Sequence, residues 1–440
     1  MNVLSRLRAG QLAGSQRLDL SCGLTEFPRE IFDLADTLEV LNLSGNALSA
    51  LPDDLHRLHR LRVLFCSDNQ FTELPEAVGR CRQLDMVGFK ANRVRSVPAA
   101  SLPPSLRWLI LTDNQIEALP STIGQCARMQ KLMLAGNRLR ALPEELAACR
   151  ALELLRISAN GLDTLPEWLL SMPRLAWLAF AGNPFDETPE EAALVARPTV
   201  AIDWSHLSLK HKLGEGASGV IHEADWRLAD GGIRPVAVKL FKGAVTSDGW
   251  PHSEMAACLA AGSHSNLIAV LGRVENHPEG TPGLVLDLVD ASFRNFAGPP
   301  SLQTCTRDVY DSGARWSLET ALRMAHGIAS ATAQLHSRGI VHGDLYAHNI
   351  LWNGQGDCLL GDFGAASFLP TDDSARSQAL QRIEARAFGC LLEELLSHCD
   401  PVEEADEARW KMLAKLQLRC VDPDTSARPA FAEITSLLSA

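Results

Sequence analysis

Leu38-Glu39-Val40-Leu41-Asn42-Leu43-Ser44-Gly45-Asn46 reads as L-x-x-L-x-L-x-x-N, and the frame or a close variant returns six more times. The closing asparagines are Asn46, Asn69, Asn92, Asn114, Asn137, Asn160 and Asn183, spaced 23, 23, 22, 23, 23 and 23 residues apart. Each of the first six is followed by an apolar residue and then a Leu-Pro step or a variant of it, from Leu51-Pro52 through Val97-Pro98 to Leu165-Pro166. Leu18-Asp19-Leu20 with Phe27-Pro28 forms an earlier, irregular copy, as a terminal unit does. Self-similarity at this period predicts a solenoid, because one unit alone leaves its apolar faces bare and only a stacked neighbour covers them. The leucines point into a shared core. The asparagine side chain satisfies backbone groups where the chain turns out of each strand.

The residues between the leucines then face outward on a strand ladder. One column reads Val40, Val63, Met86, Trp108, Lys131, Leu154, Trp177, and the next reads Asn42, Phe65, Gly88, Ile110, Met133, Arg156, Ala179. Nine of these fourteen are Val, Ile, Leu, Met, Phe or Trp, where a solvated face would be mostly charged. Scattered apolar residues are ordinary on surfaces, but two contiguous columns predict a protein-binding patch with Phe65, Trp108, Ile110, Met133 and Trp177 in it. Its occupant is a separate protein or the C-terminal half of the same chain.

The repeat stops after Asn183-Pro184. Residues 191–202, with Pro198, read as a linker separating a region at 1–190 from one at 203–440. In the second region Leu213-Gly214-Glu215-Gly216-Ala217-Ser218-Gly219-Val220 follows a short alternating stretch. Alone, G-x-G-x-x-G is weak, being shared by different nucleotide-binding families and by plain turns. Val236-Ala237-Val238-Lys239 comes next, an alternating strand ending in lysine, and Glu254 opens a helical stretch. A helix over Leu318–Ser337 precedes His342-Gly343-Asp344-Leu345-Tyr346-Ala347-His348-Asn349, and then Asp362-Phe363-Gly364. Any one of these is explicable as a buried or capping residue; five in this order are not.

The first region resembles the leucine-rich-repeat family over residues 18–190, which supplies binding surfaces rather than chemistry. The second is similar to the protein kinases from about Asp203 onward, and Asp422-Pro423 with Ala427-Arg428-Pro429-Ala430-Phe431 looks like the closing motif of their tyrosine-kinase-like, receptor-like branch. The fold implied is α/β and multidomain: a parallel strand ladder, then a bilobal α+β kinase-like domain. The resemblance implies ATP and Mg2+. Gly214, Gly216 and Gly219 would let backbone amides approach the phosphates, with Val220 counted beside them. Leu286 falls at the gatekeeper position, and Asp287-Leu288-Val289 would form the hinge holding adenine. Lys239, held by Glu254, would pair with phosphate as an exposed cleft lysine of little packing value. Asp344 would accept the proton of the acceptor hydroxyl. Asn349 and Asp362 would hold magnesium, a hard cation that takes oxygen ligands. His342 and Phe363 read as structural.

Four departures qualify the resemblance. Gly343 stands where an arginine normally precedes the catalytic aspartate. Tyr346 stands where serine/threonine kinases keep a lysine. His348 lies where tyrosine kinases often have an arginine. The span from Asp362 to Glu384-Ala385-Arg386-Ala387-Phe388-Gly389 is short and lacks A-P-E, so Arg428 loses its customary glutamate partner. The expected function is phosphoryl transfer from ATP to protein hydroxyls, Ser or Thr ahead of Tyr. The alternative is a catalytically idle kinase fold acting as a scaffold.

Composition fits a globular chain of 440 residues, with 46% hydrophobic and 21% charged residues. No apolar run reaches the ~20 residues of a membrane span. Arg6, Arg8 and Arg17 precede the first repeats without an apolar core or cleavage pattern, which reads as a solenoid cap rather than a targeting signal. The net charge of −12 is concentrated after residue 190, where 31 acidic residues face 21 basic ones. That balance disfavours nucleic acid and anionic membranes as partners. Eleven cysteines include no C-x-x-C pair, and Cys81, Cys126 and Cys149 recur at one repeat position as small core residues. A reducing, cytoplasmic setting is the expectation.

Overall fold

The computed structural model describes residues 2–186, 190, 200–216, 218–243, 245–246, 248–401 and 403–439. It divides into two compact units, Met1–Arg174 and Leu175–Ala440.

The first unit is a repeat array. A short helix, Val3–Arg8, is capped by Asn2, whose side chain accepts from Ser5 N at 2.8 Å. Seven three-residue strands follow: β1 (Arg17–Asp19), β2 (Val40–Asn42), β3 (Val63–Phe65), β4 (Met86–Gly88), β5 (Trp108–Ile110), β6 (Lys131–Met133) and β7 (Leu154–Arg156). All pair in parallel with their sequence neighbours, so Leu41, Leu64, Val87, Leu109, Leu132 and Leu155 form one buried row. The asparagines lock this register. Asn69 Oδ1 accepts from Leu48 N at 2.9 Å, while its Nδ2 donates to Leu43 O at 2.9 Å and Cys66 O at 3.2 Å. One amide therefore satisfies backbone groups of two successive coils, which neither coil could do alone. Cys81, Cys126 and Cys149 are buried, and burial pushes the Cys126 thiol up to about 12. Such thiols are packing groups, not nucleophiles.

The second unit begins inside the repeat. Its first strand, β8 (Trp177–Ala179), and Asn183, whose Nδ2 donates to Phe180 O at 2.7 Å, are the last copy of the L-x-x-L-x-L-x-x-N frame. Grouping by contact thus places the division ahead of the expected boundary at residue 190. Of the expected linker, residues 191–199 lie outside the described residues. Its end is not a linker: β9 (Ala201–Asp203) pairs in parallel with β13 (Val270–Glu275), and Ile202 enters the apolar core beside Leu207, Ala224, Val236, Val238, Val274 and Val285. Burying that one apolar side chain recruits the segment into the sheet.

The remaining strands are β10 (Leu207–Glu215), β11 (Gly219–Arg227), β12 (Ile233–Phe241) and β14 (Gly283–Asp287), and the sheet order is β10-β11-β12-β14-β13-β9. Helix Pro251–Ala261 accompanies it. The rest of the unit is chiefly helical, with helices Leu318–Ser337, Ser374–Ser397, Glu407–Cys420 and Phe431–Leu438. Ser317 caps the first of these, its Oγ accepting from Thr320 N at 3.2 Å. A small antiparallel hairpin, Ile350–Trp352 with Cys358–Leu360, brings the loop containing Asp344 and the segment containing Asp362 to its one open end, where Gly361 N donates to Asn349 O at 2.9 Å. Among the described residues no helix is long and apolar enough to cross a membrane.

Candidate active site

Strand alternation sets the upper wall of a cleft. Val236 and Val238 of β12 point into the core, so Lys239 points the other way, toward the pocket. Lys239 Nζ is paired with Glu254 Oε1 from helix Pro251–Ala261, and the two side chains are only 13% and 2% exposed. Burial works against both charges. For Lys239 the charge and hydrogen bond of Glu254 outweigh it and hold the ammonium above its ordinary value. Glu254 is itself pushed up, chiefly by burial. Lys239 is therefore not the exposed lysine expected from the sequence. Removing it would strand a buried carboxylate, a loss of about 3–5 kcal/mol.

The three glycines of the loop differ. A methyl group added at Gly214 or Gly216 would meet nothing within 4 Å, whereas at Gly219 it would come within 2.6 Å of Leu240 O. Gly219 is thus required by strand packing. Gly214 and Gly216 leave open the backbone approach that a phosphate chain takes. Val220 is not the pocket residue: the lining comes from its neighbour Ile221, in register with Lys239. Adjacent strand residues face opposite ways. The motif's own spacing, with its apolar residue two positions after the third glycine, would have found Ile221. Leu286 lines the same pocket, with Cys258, Leu284 and Phe363. Asp287 ends β14 with Oδ1 accepting from Arg234 Nη2 at 2.6 Å, and Val289 follows it, part-buried.

Asp344 sits on a loop braced from several sides. Asn349 Nδ2 donates to both Asp344 O and Asp344 Oδ2 at 2.9 Å. His342 Nε2 donates to Gly361 O at 2.9 Å, which leaves Nδ1 to accept from Asp344 N at 3.3 Å. That ring is buried 5.2 Å from Phe363, a structural role. Glu384 Oε1 accepts from Gly343 N and Oε2 from His336 Nε2, both at 2.7 Å. Burial raises the Glu384 carboxyl, but His336 and the Gly343 amide more than offset that and hold it below its ordinary value. Asp362 takes a left-handed backbone, φ 53°, and its Oδ1 accepts from Gly364 N at 3.2 Å.

His348 pairs with a residue that sequence reading missed. Asp308 accepts from His348 Nδ1 at 2.7 Å and from His348 N at 2.9 Å. Burial opposes the imidazolium, but Asp308, with Asp344 and Asp362 beyond it, raises the histidine above its ordinary value. The imidazole four residues after Asp344 is thus biased toward its protonated form. Arg428 is buried and donates from Nε to Asp422 O at 2.9 Å and from Nη1 to Arg382 O at 3.3 Å.

Tyr346 is covered. Trp177 of β8 lies flat on it, ring centroids 4.1 Å apart at 6°, with Trp177 1% and Tyr346 4% exposed. Trp177 Nε1 donates to Leu345 O at 3.1 Å, and Phe180 N donates to Ser367 Oγ at 3.1 Å. Gly343, with φ +72°, fits here because a methyl group on it would stand 2.4 Å from Ala365 O and 2.8 Å from Leu178 O. The arginine expected at that position has no room for its Cβ. Trp177 consequently is not an open-face anchor as its column implied; the stack on Tyr346 buries it. Phe65, Trp108, Ile110 and Met133 are part-buried. They lean on their column neighbours: Trp108 Nε1 lies 3.4 Å from Met133 Sδ, and Lys131 Nζ is 4.5 Å from the centre of the Trp108 ring.

The arrangement offers a cation beside an apolar slot, a carboxylate braced by Asn349, and a second carboxylate, Asp362, in the lining of the slot. Asn349, with Nδ2 engaged by Asp344, keeps Oδ1 for a metal, and Asp362 adds a carboxylate. Among the described residues no cluster of three or more His, Cys, Asp or Glu could hold an ion by itself. That fits magnesium, which takes one or two protein oxygens and completes its shell with phosphates and water.

Known proteins are similar in the same two parts. Residues 207–398 match the protein tyrosine and serine/threonine kinase family, and residues 37–58 match a leucine-rich repeat. The serine/threonine-protein kinase CTR1 of Arabidopsis thaliana is 24% identical over 54% of this chain and 32% of its own length. The tyrosine-protein kinase receptor TYRO3 of Gallus gallus is 24% identical over 50% of this chain and 25% of its own. The proto-oncogene serine/threonine-protein kinase mos of Sus scrofa is 26% identical over 38% and 50%. The chain thus spans between a quarter and a half of the length of these relatives.

Proposed function

Because the chain joins leucine-rich repeats to a protein-kinase domain, we propose that it transfers the γ-phosphoryl group of ATP to protein hydroxyls, Ser and Thr ahead of Tyr. The observation that carries this reading is the paired set: Lys239 with Glu254 in a cleft that Asp362 also lines, and Asp344 tied to Asn349, whose backbone oxygen accepts from Gly361 N beside Asp362. An idle fold is under no constraint to keep the base, both metal donors and the ion pair together. Preference for Ser and Thr is supported by the plant and pig relatives, which carry that name.

Bound Mg-ATP supplies the electrophilic phosphorus and most of the charge to be neutralised. The chain's share is positioning. Lys239 presents an ammonium that Glu254 keeps charged and aimed. Gly214 and Gly216 admit backbone amides to phosphate oxygens. Asn349 Oδ1 and Asp362 would hold the magnesium ion. Asp344, its Oδ2 oriented by Asn349, takes the proton of the acceptor hydroxyl. His348, biased toward its protonated form by Asp308, takes the charge role of the lysine that Tyr346 displaces. Part-buried Phe65, Trp108, Ile110 and Met133 we assign to contact with a protein substrate or regulator.

Incorporation of labelled phosphate into a generic protein acceptor, compared with Asp344→Asn, tests the reading. Asp344→Asn removes the base while keeping volume and the bond to Asn349. A loss of about a hundredfold or more is expected; equal rates in the two proteins would leave only a nucleotide-binding scaffold. Lys239→Met is the poorer control, since it also strands Glu254.

A further inference from the structure

Trp177 belongs to the repeat frame by sequence and to the catalytic unit by packing. Its indole N–H bonds to the carbonyl of Leu345, the residue directly after Asp344, and its ring covers Tyr346, the residue after that. Arg307 stands 5.5 Å from the centre of the same ring, and the next residue, Asp308, holds His348. One and three residues past Trp177 the same segment makes further contacts: Leu178 O stands 2.8 Å from where a Cβ on Gly343 would be, and Phe180 N donates to Ser367 Oγ at 3.1 Å. The loop with Asp344 is thus held both by Glu384 and by the last repeat.

We propose that Trp177 is a positioning residue for Asp344, so that the terminal repeat is a working part of the phosphotransfer machinery. Two independent features carry this. The first is the contact itself, a parallel stack plus a hydrogen bond to the loop backbone, both fully buried. The second is Gly343. The family's arginine is missing at a position where a Cβ would stand 2.4 Å from Ala365 O and 2.8 Å from Leu178 O, so the docked strand is one of the two backbone segments for which the glycine makes room. The contact does not read as an inhibitory plug. With Trp177 seated, Asn349 still orients Asp344 Oδ2 and Lys239 still meets Glu254. Docking accompanies the assembled site.

The proposal rests on the kinase reading above, and the experiment separates the two. Full-length wild type, Trp177→Ala, Trp177→Phe and Asp344→Asn are compared in phosphotransfer, and the first three in hydrogen–deuterium exchange. A buried stack and one hydrogen bond are together worth on the order of tenfold. Trp177→Ala is expected to lower kcat by about that factor with KM for ATP changed by less than about twofold, and to speed exchange across Leu345–Asn349 about tenfold. Trp177→Phe, which keeps the stack and loses the N–H, should fall between. The repeat peptides of β1–β7 should exchange as in wild type, which distinguishes local loosening from unfolding. If Trp177→Ala fails to fold, Trp177→Phe carries the same comparison. A kcat that is unchanged or raised, or an unaltered exchange rate in the loop, overturns the proposal. Should wild type turn over no faster than Asp344→Asn, the kinase reading falls, and the exchange measurement still decides whether Trp177 holds the loop.

Discussion

Gly343→Ala should damage this protein more than any other single methyl group in the loop. Two costs add. The backbone at this position has φ +72°, a conformation that costs a residue with a Cβ about 1–2 kcal/mol. The new methyl would also stand 2.4 Å from Ala365 O and 2.8 Å from Leu178 O. Both obstacles are backbone, so neither can swing aside as a side chain would, and overpacking of this kind costs about 1–3 kcal/mol. A total near 3 kcal/mol corresponds to roughly 6–12 °C in the melting temperature of a unit this size. Calorimetry on the full chain reads the shift, and labelled-phosphate turnover reads the displacement of Asp344. Gly343→Arg, which restores the residue the family normally has, should do at least as much harm and no good. A Gly343→Ala protein that melts within about 1 °C of wild type and turns over normally would refute the argument, and a more active Gly343→Arg would refute it outright.

Asn137→Ala strips partners from Ile116 N, Leu111 O and Leu134 O, now bonded at 3.0, 2.9 and 2.9 Å, and should cost about 3 kcal/mol in urea unfolding; a shift below about 0.5 kcal/mol would mean that water replaces the side chain. Glu384 carries a depressed carboxyl pKa in the folded unit, so its stabilisation is complete above the unfolded value of ~4.3 and is lost as pH falls through the folded one. Urea midpoints should therefore decline on acidification below pH ~4 more steeply in wild type than in Glu384→Gln, and parallel declines would remove the assignment. Replacing Thr371, Ser374 and Ser377 together by alanine should leave basal turnover intact, because Gly343 offers no guanidinium to read a phosphate there; a large loss would show that another cation does.

Much of the site was legible because its chemistry sits in short motifs at fixed offsets. Lys239, Glu254 and Asp362 line one cleft, Asn349 is tied to Asp344, and the asparagine period sets the ladder's register. What escaped reading depends on contacts between segments far apart in the chain. Asp308 lies forty residues before His348 in a loop without periodicity, so no offset announces it. Ile221 and Val220 differ only in which face of β11 they occupy. Lys239 looked exposed because its burial comes from a helix fifteen residues on. Trp177 sits in a column with Trp108, and nothing within the repeat frame says that one ring is stacked and sealed while the other stays half open.

The division of the chain at Arg174 rather than near residue 190 bears on how such a protein can be cut, spliced or lengthened. Conventional trimming at the apparent linker would yield a catalytic fragment deprived of Trp177 and Phe180, with Leu345 O and Ser367 newly wet. The smallest autonomous piece should start at Leu175 or before. Upstream of that point, whole 23-residue units can be gained or lost by recombination without touching the copy that meets the loop. Array length is then free to drift in a lineage while its final copy travels with the kinase-like unit as a single heritable block.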